Sequence, residues 1–98
     1  MDQIIYVYDV KPGKHQNPRR TKFNKTLFGF KYKWETQKGQ KTRLRQGLVQ
    51  LYKIQRIGDS VIAINPEHEK TLDQLFNTYQ DIIQVRKFLT QKELKLTN

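Results

Sequence analysis

The chain has 98 residues, 36% of them hydrophobic, which is material for one small domain with a single core. It contains no cysteine, excluding disulfides, a thiolate nucleophile and cysteine-type zinc sites, and no run approaches the ~18 apolar residues of a membrane span. Nineteen Lys and Arg against nine Asp and Glu give a net charge of +10, and the charge is polarised: Lys11 to Arg56 holds 14 basic residues and one acid, while Ile57 to Asn98 holds five basic and six acidic. A basic half of this kind fits a polyanion, because each neutralised phosphate releases condensed counterions.

Met-Asp-Gln lacks the basic opening of a signal peptide, so a cytoplasmic protein without a membrane partner is expected. A chain of this size buries only roughly 60–65% of its unfolded surface, which favours a homodimer.

Ile4 to Val10, Ile-Ile-Tyr-Val-Tyr-Asp-Val, is an unbroken apolar and aromatic run closed by Pro12-Gly13, and it reads as a central strand buried on both faces. Asp9 near its end has two readings. It caps the turn through a backbone N–H, or it presents a carboxylate to a metal or partner where loops gather.

After a loop carrying Lys14, Asn17-Pro18 is a helix start, and the helix runs to about Phe28 with Phe23 and Leu27 facing the core. Arg19, Arg20, Lys22 and Lys25 take its remaining surface. Arginine in a first turn opposes the helix dipole by a few tenths of a kcal/mol, whereas an arriving phosphate would accept both free N–H groups and guanidinium forks.

From Phe28 to Trp34 the sequence alternates, every aromatic on one face and Lys31 and Lys33 on the other. A polar stretch around Gly39 leads to Lys41–Gln46, where Arg43 and Arg45 are two apart and so share a side of a strand. This predicts a basic β-ribbon or loop insertion around 29–46. Two readings stand: the arm lies in a groove with its aromatics stacking bases, or the aromatics complete the core and the lysines are solvated.

Gly47 opens a long strand, Leu48 to Arg56; Ile57–Ser60 is a tight turn, and Val61 to Ile64 returns as a second core strand. Asn65-Pro66 repeats the cap-plus-proline signal, and Leu72, Leu75, Phe76 and Tyr79 form one apolar helix face. Ile82 to Leu89 is the last strand, and residues 91–98 are a tail. The order predicts an α+β, ferredoxin-like βαββαβ domain over residues 1–90, an antiparallel sheet backed by two helices, with the first and third strands central. His15 and His68 read as surface residues, and neither a nucleophile motif nor a Walker loop is present.

Ile5-Tyr6-Val7-Tyr8-Asp9-Val10 resembles the first-strand motif of RNA-recognition motif domains, and Phe28-Gly29-Phe30 their aromatic third-strand motif. Val61 to Ile64, third in order, carries no aromatic, so sheet stacking in that family's manner is not expected. Tyr8-Asp9-Val10, Arg19 and Arg20 in the first helix, and Asp59-Ser60-Val61 through Ile64-Asn65-Pro66 resemble the small CRISPR-associated ferredoxin-like proteins of spacer acquisition and the related virulence-associated protein D ribonucleases. The resemblance covers Ile4 to Leu27 and Ile57 to Leu89; Gly29 to Gln46 lies outside it. It implies a homodimer with paired Asp9 residues holding Mg²⁺ for phosphodiester hydrolysis, and basic flanks gripping a duplex.

The expected function is nucleic-acid binding, RNA or DNA, by Lys14, Arg19, Arg20, Lys22, Lys31, Lys33, Trp34, Lys41, Arg43 and Arg45. Three forms are open: a metal-dependent endonuclease or integration scaffold centred on Asp9, a non-catalytic RNA-binding or ribosome-associated protein, and an adaptor for an acidic protein partner. Six phosphate contacts would give a log–log salt slope near about −4 to −5.

Overall fold

Alternation along the first strand decides which side of the sheet is covered. In the computed structural model, which describes residues 2–90, β1 (Gln3–Val10) buries Ile4, Tyr6 and Tyr8 on one face and turns Val7 and Asp9 to the open side. Burial on both faces, expected from the apolar run, does not occur. The two longer helices, α1 (Pro18–Phe28) and α3 (Glu69–Thr78), both pack on the tyrosine face: Phe23 and Phe76 meet Tyr8 at 5.7 and 5.5 Å, and Phe76 stacks on Tyr6 at 5.0 Å. Among the described residues Val7, 38% exposed, and Phe88, 50% exposed, stay on the surface.

The chain is a small α+β fold around a four-stranded antiparallel sheet of order β4-β5-β1-β6, with β4 Gln55–Gly58, β5 Val61–Ile64 and β6 Ile83–Thr90. β1 and β5 are therefore the inner strands. The pairing sets Tyr6 opposite Ile62 on one side and Lys87 on the other. Lys87 Nζ donates to Glu69 Oε2 at 2.8 Å and Asp73 Oδ2 at 3.0 Å, and Tyr6 Oη donates to Asp73 Oδ1 at 2.7 Å. Burial, then the bond to Asp73, drives the Tyr6 phenol far above its usual range, while the bonds to Glu69 and Asp73 raise Lys87.

Both predicted helix starts form as their chemistry requires. Asn17 Oδ1 accepts the Arg19 N–H at 2.9 Å, with Pro18 at the first position, and Asn65 Oδ1 accepts the Glu67 N–H at 3.1 Å ahead of a short 3₁₀ turn, Pro66–His68, that leads into α3. Leu72, Leu75 and Phe76 are buried, as their spacing predicted. The tail predicted for residues 91–98 lies outside the described residues.

The long strand predicted from Leu48 to Arg56 is replaced by a helical turn, α2 (Leu48–Leu51), a left-handed residue at Lys53 (φ 52°) and the short β4. Here the apolar run follows a helical period. Leu48, Val49 and Tyr52 fall at i, i+1 and i+4 and pack together on the core, which a two-residue period cannot do.

Between α1 and α2 the chain leaves the body as a hairpin: β2 (Phe30–Thr36) and β3 (Gly39–Arg45) form their own two-stranded sheet. Phe28 is not part of it. It closes α1, and the Arg56 guanidinium lies 4.2 Å over its ring.

Candidate nucleic-acid interface

The hairpin's geometry is set at its tip and its root. At the tip, Thr36 Oγ1 donates to Gly39 O at 2.8 Å and accepts the Lys38 N–H at 3.3 Å, which closes a two-residue turn and fixes the register. At the root the two chains pass glycine against glycine. Gly29, at φ 78°, and Gly47 lie so close that a Cβ on either would enter the other's backbone. Gln50 ties them, its Nε2 donating to Phe28 O at 2.9 Å and its Oε1 accepting the Gly47 N–H at 2.8 Å.

In that register Phe30 faces Arg45, Tyr32 faces Arg43 and Trp34 faces Lys41. Residues directly opposite share a face, so one side of the ribbon carries three aromatics along β2 and three cations along β3. The rings follow one another at 6.1 Å (Phe30–Tyr32) and 5.6 Å (Tyr32–Trp34), and Trp34 is 38% exposed. Every residue of β3 is exposed. Lys31 and Lys33 occupy the other face with Leu44, Thr42, Glu35 and Gln40.

The ribbon's cations make no ion pair among the described residues. Among the described residues the ion pairs are Arg19–Asp81, Lys87–Glu69, Lys87–Asp73 and the contact of His68 with Glu67, so none involves Lys31, Lys33, Lys41, Arg43 or Arg45. Packed cations with no counter-charge repel one another, and a polyanion relieves that cost.

The structure thus brings together six predicted site residues, Lys31, Lys33, Trp34, Lys41, Arg43 and Arg45, and leaves the others on the body. Lys14 lies in the exposed loop before α1, and Lys22 is on an exposed face of α1. Arg19 is occupied: its guanidinium donates to Asp81 Oδ2 at 2.5 Å and Thr78 O at 2.6 Å and lies 4.9 Å over the Tyr79 ring. The clasp between α1 and the end of α3 accounts for an arginine in a first turn, where the dipole disfavours it. Arg20 donates to His15 O at 3.1 Å.

Three contributors lie beyond the ten residues named for binding, although the stacking reading of the arm takes in its aromatics. Phe30 and Tyr32 extend the ladder, and Lys25, on the last turn of α1, places its Nζ 4.8 Å over the Phe30 ring. The alternation around Trp34 held the signal for the first two; Lys25 is brought there only by the turn of the chain at Gly29.

Asp9 Oδ1 accepts the Val10 N–H at 2.8 Å. Its side chain borders a cleft of about 260 Å³ shared with His15, Arg20, Asn24, Asp59 and Ser60. Among the described residues no group of three acidic or imidazole side chains converges. The Tyr8 hydroxyl, which also borders this cleft, is buried with no hydrogen-bond partner among the described residues, and burial pushes its ionisation upward against the opposing charge of Arg56.

Among the described residues no helix is long and apolar enough to cross a membrane. Comparison of the chain with protein-family models, with curated proteins and with solved structures found no match in any of the three.

Proposed function

We propose that this protein binds nucleic acid through the β2–β3 ribbon, which a ferredoxin-like body holds out from its sheet. The fold reading is supported by the strand order. Counted in chain order, the four strands of the main sheet lie 2-3-1-4, each neighbour antiparallel, with α1 between the first two and α3 between the last two. That order supports a split βαβ reading with the ribbon and α2 inserted after α1.

The observation that carries the functional reading is the ladder: Phe30, Tyr32 and Trp34 facing Arg45, Arg43 and Lys41 on an arm whose cations have no acidic partner among the described residues. A structural ribbon needs the aromatics to hold its strands together, because an isolated hairpin is marginal in water, but it has no need of three unpaired cations beside them. Phosphate contacts and ring stacking are what those two rows supply together.

The test is binding of labelled RNA and DNA, single- and double-stranded, across a range of salt. The wild-type protein gives an affinity that falls as a power of salt concentration. The triple variant Lys41→Gln, Arg43→Gln, Arg45→Gln loses about 2 from the log–log slope, for three single-strand phosphates. A flat salt response, or a triple variant that binds like the wild type, removes the reading; tight binding to an acidic polypeptide instead makes the ribbon an adaptor. Asp9→Asn keeps full affinity, and metal-dependent cleavage lost in Asp9→Asn alone would add hydrolysis to binding.

A further inference from the structure

Resting on the nucleic-acid reading above, we infer that the ladder face is a site for single-stranded nucleic acid, about three nucleotides long, with bases lying on the β2 row and phosphates on the β3 row.

The inference starts from how the two kinds of side chain are sorted. Aromatics and cations are not interspersed on this face: all three rings are on β2 and all three cations on β3. Opposite residues in an antiparallel pair have Cβ atoms about 4.5–5.5 Å apart, so the face presents two parallel rows, one aromatic, one cationic. A single strand has the same two rows, bases along one side and phosphates along the other. A duplex does not. Its phosphates flank both edges of a groove, and the faces of its bases are covered by their stacked neighbours, where no side-chain ring can lie on them.

Spacing points the same way. Alternate residues on a strand advance about 6.7 Å, and the rings here are 6.1 and 5.6 Å apart. Stacked nucleotides advance about 3.4 Å along a duplex. Consecutive bases meet consecutive rings only in a strand drawn out of its stack, which is the state a stacking platform selects. The ladder ends at both limits. Below Phe30 the root closes glycine on glycine, and beyond Trp34 the turn begins at Thr36, so the ladder has three rungs, the first with Lys25 Nζ 4.8 Å over its ring.

Trp34 is the chain's one tryptophan, so its fluorescence reports this face alone. The experiment titrates the protein with single-stranded oligonucleotides of one to eight residues, an abasic chain of matching length and a duplex of the same sequence, following Trp34 emission and, in parallel, the anisotropy of labelled strands. The expected result is quenching by single strands whose affinity climbs steeply to about three nucleotides and slowly after that, with weak, unquenched binding of the abasic chain and the duplex. Tyr32→Ala lowers single-strand affinity about 5- to 150-fold, the equivalent of one stacked base, and leaves abasic affinity unchanged. Arg43→Gln lowers the salt slope by about 0.7 and keeps the quench at saturation.

Equal quenching by duplex or by abasic chain, or tight binding with no quench, overturns the single-strand assignment while the nucleic-acid reading stands. Absence of binding to every probe overturns both. Circular dichroism on each variant keeps loss of folding apart from loss of contact.

Discussion

Two sets of aromatic rings stand in this protein, and their surroundings are opposite. In the body Tyr6, Tyr8, Phe23, Phe76 and Tyr79 meet at centroid distances of 5.0 to 5.7 Å; on the ribbon Phe30, Tyr32 and Trp34 follow at 6.1 and 5.6 Å. Ring spacing therefore does not separate a core from a ladder on an arm. What surrounds the rings does. The body's cluster is closed by Ile62, Leu72, Ile82 and their neighbours, all buried, whereas the ribbon's rings stand opposite Arg45, Arg43 and Lys41. Apolar surroundings turn ring area into folding free energy; cationic surroundings keep it facing water and available to a ligand that carries negative charge.

The largest effect that would break this contrast lies in the core. Phe23→Ala removes a ring shared by Tyr8, Phe76 and Tyr79 and is expected to cost about 3–5 kcal/mol in denaturant unfolding. Nucleic-acid affinity measured well below the midpoint stays as it was; a large loss of affinity in the folded protein would mean that ribbon and body are not separable.

Tyr6→Phe comes next, at about 1.5–3 kcal/mol, because the phenol's bond to the Asp73 carboxylate is lost. The same residue sets an alkaline limit. With its ionisation raised in the fold, Tyr6 holds its proton above about pH 10 while an unfolded tyrosine releases it, so its contribution is complete below that pH and declines above it. Unfolding followed from pH 9 to 11 should lose stability with a slope that is about one proton shallower in Tyr6→Phe. An identical slope in the two proteins would place the alkaline loss elsewhere.

Gly47→Ala sharpens the contrast from the ribbon's side. A Cβ there meets the backbone of Leu27 and Gly29, and overpacking of this kind costs about 1–3 kcal/mol. The expected signature is a combined loss of stability and affinity, since the root that aims the ladder must shift; a variant with normal affinity would show that the ladder works as a loosely tethered arm.

The smallest changes in stability are expected from Trp34→Ala and Tyr8→Phe. Trp34 lies outside the core, so its removal stays within about 0.5 kcal/mol in thermal unfolding while binding falls. Tyr8→Phe deletes a buried hydroxyl without a partner among the described residues and should be neutral or slightly stabilising. A clear destabilisation would reveal a partner for that hydroxyl.

Much of this was legible from residue order. Asn17-Pro18 and Asn65-Pro66 place their helix starts because both signals are local: a side chain caps the N–H two residues on, and proline presets the first turn. The Asp59-Ser60 turn and the alternation of Phe30 to Trp34 are equally local. Leu48 to Arg56 does not form the single strand its residues suggest, because an apolar run of that length satisfies a strand and a helical turn alike, and only the core against which Leu48, Val49 and Tyr52 pack chooses between them.

By itself, then, the sequence determined the two proline-led helix starts, the concentration of charge between Lys11 and Arg56 and the one-faced row of aromatics, all readable from the chain's own order. Tertiary structure alone decided which face of β1 is buried, that Arg19 is spent on Asp81 and Thr78, and that Arg43 and Arg45 share the aromatics' side and not the lysines'. Each of these depends on groups distant in the chain or on register, and in a pleated pair a slip of a single residue moves every side chain to the opposite face.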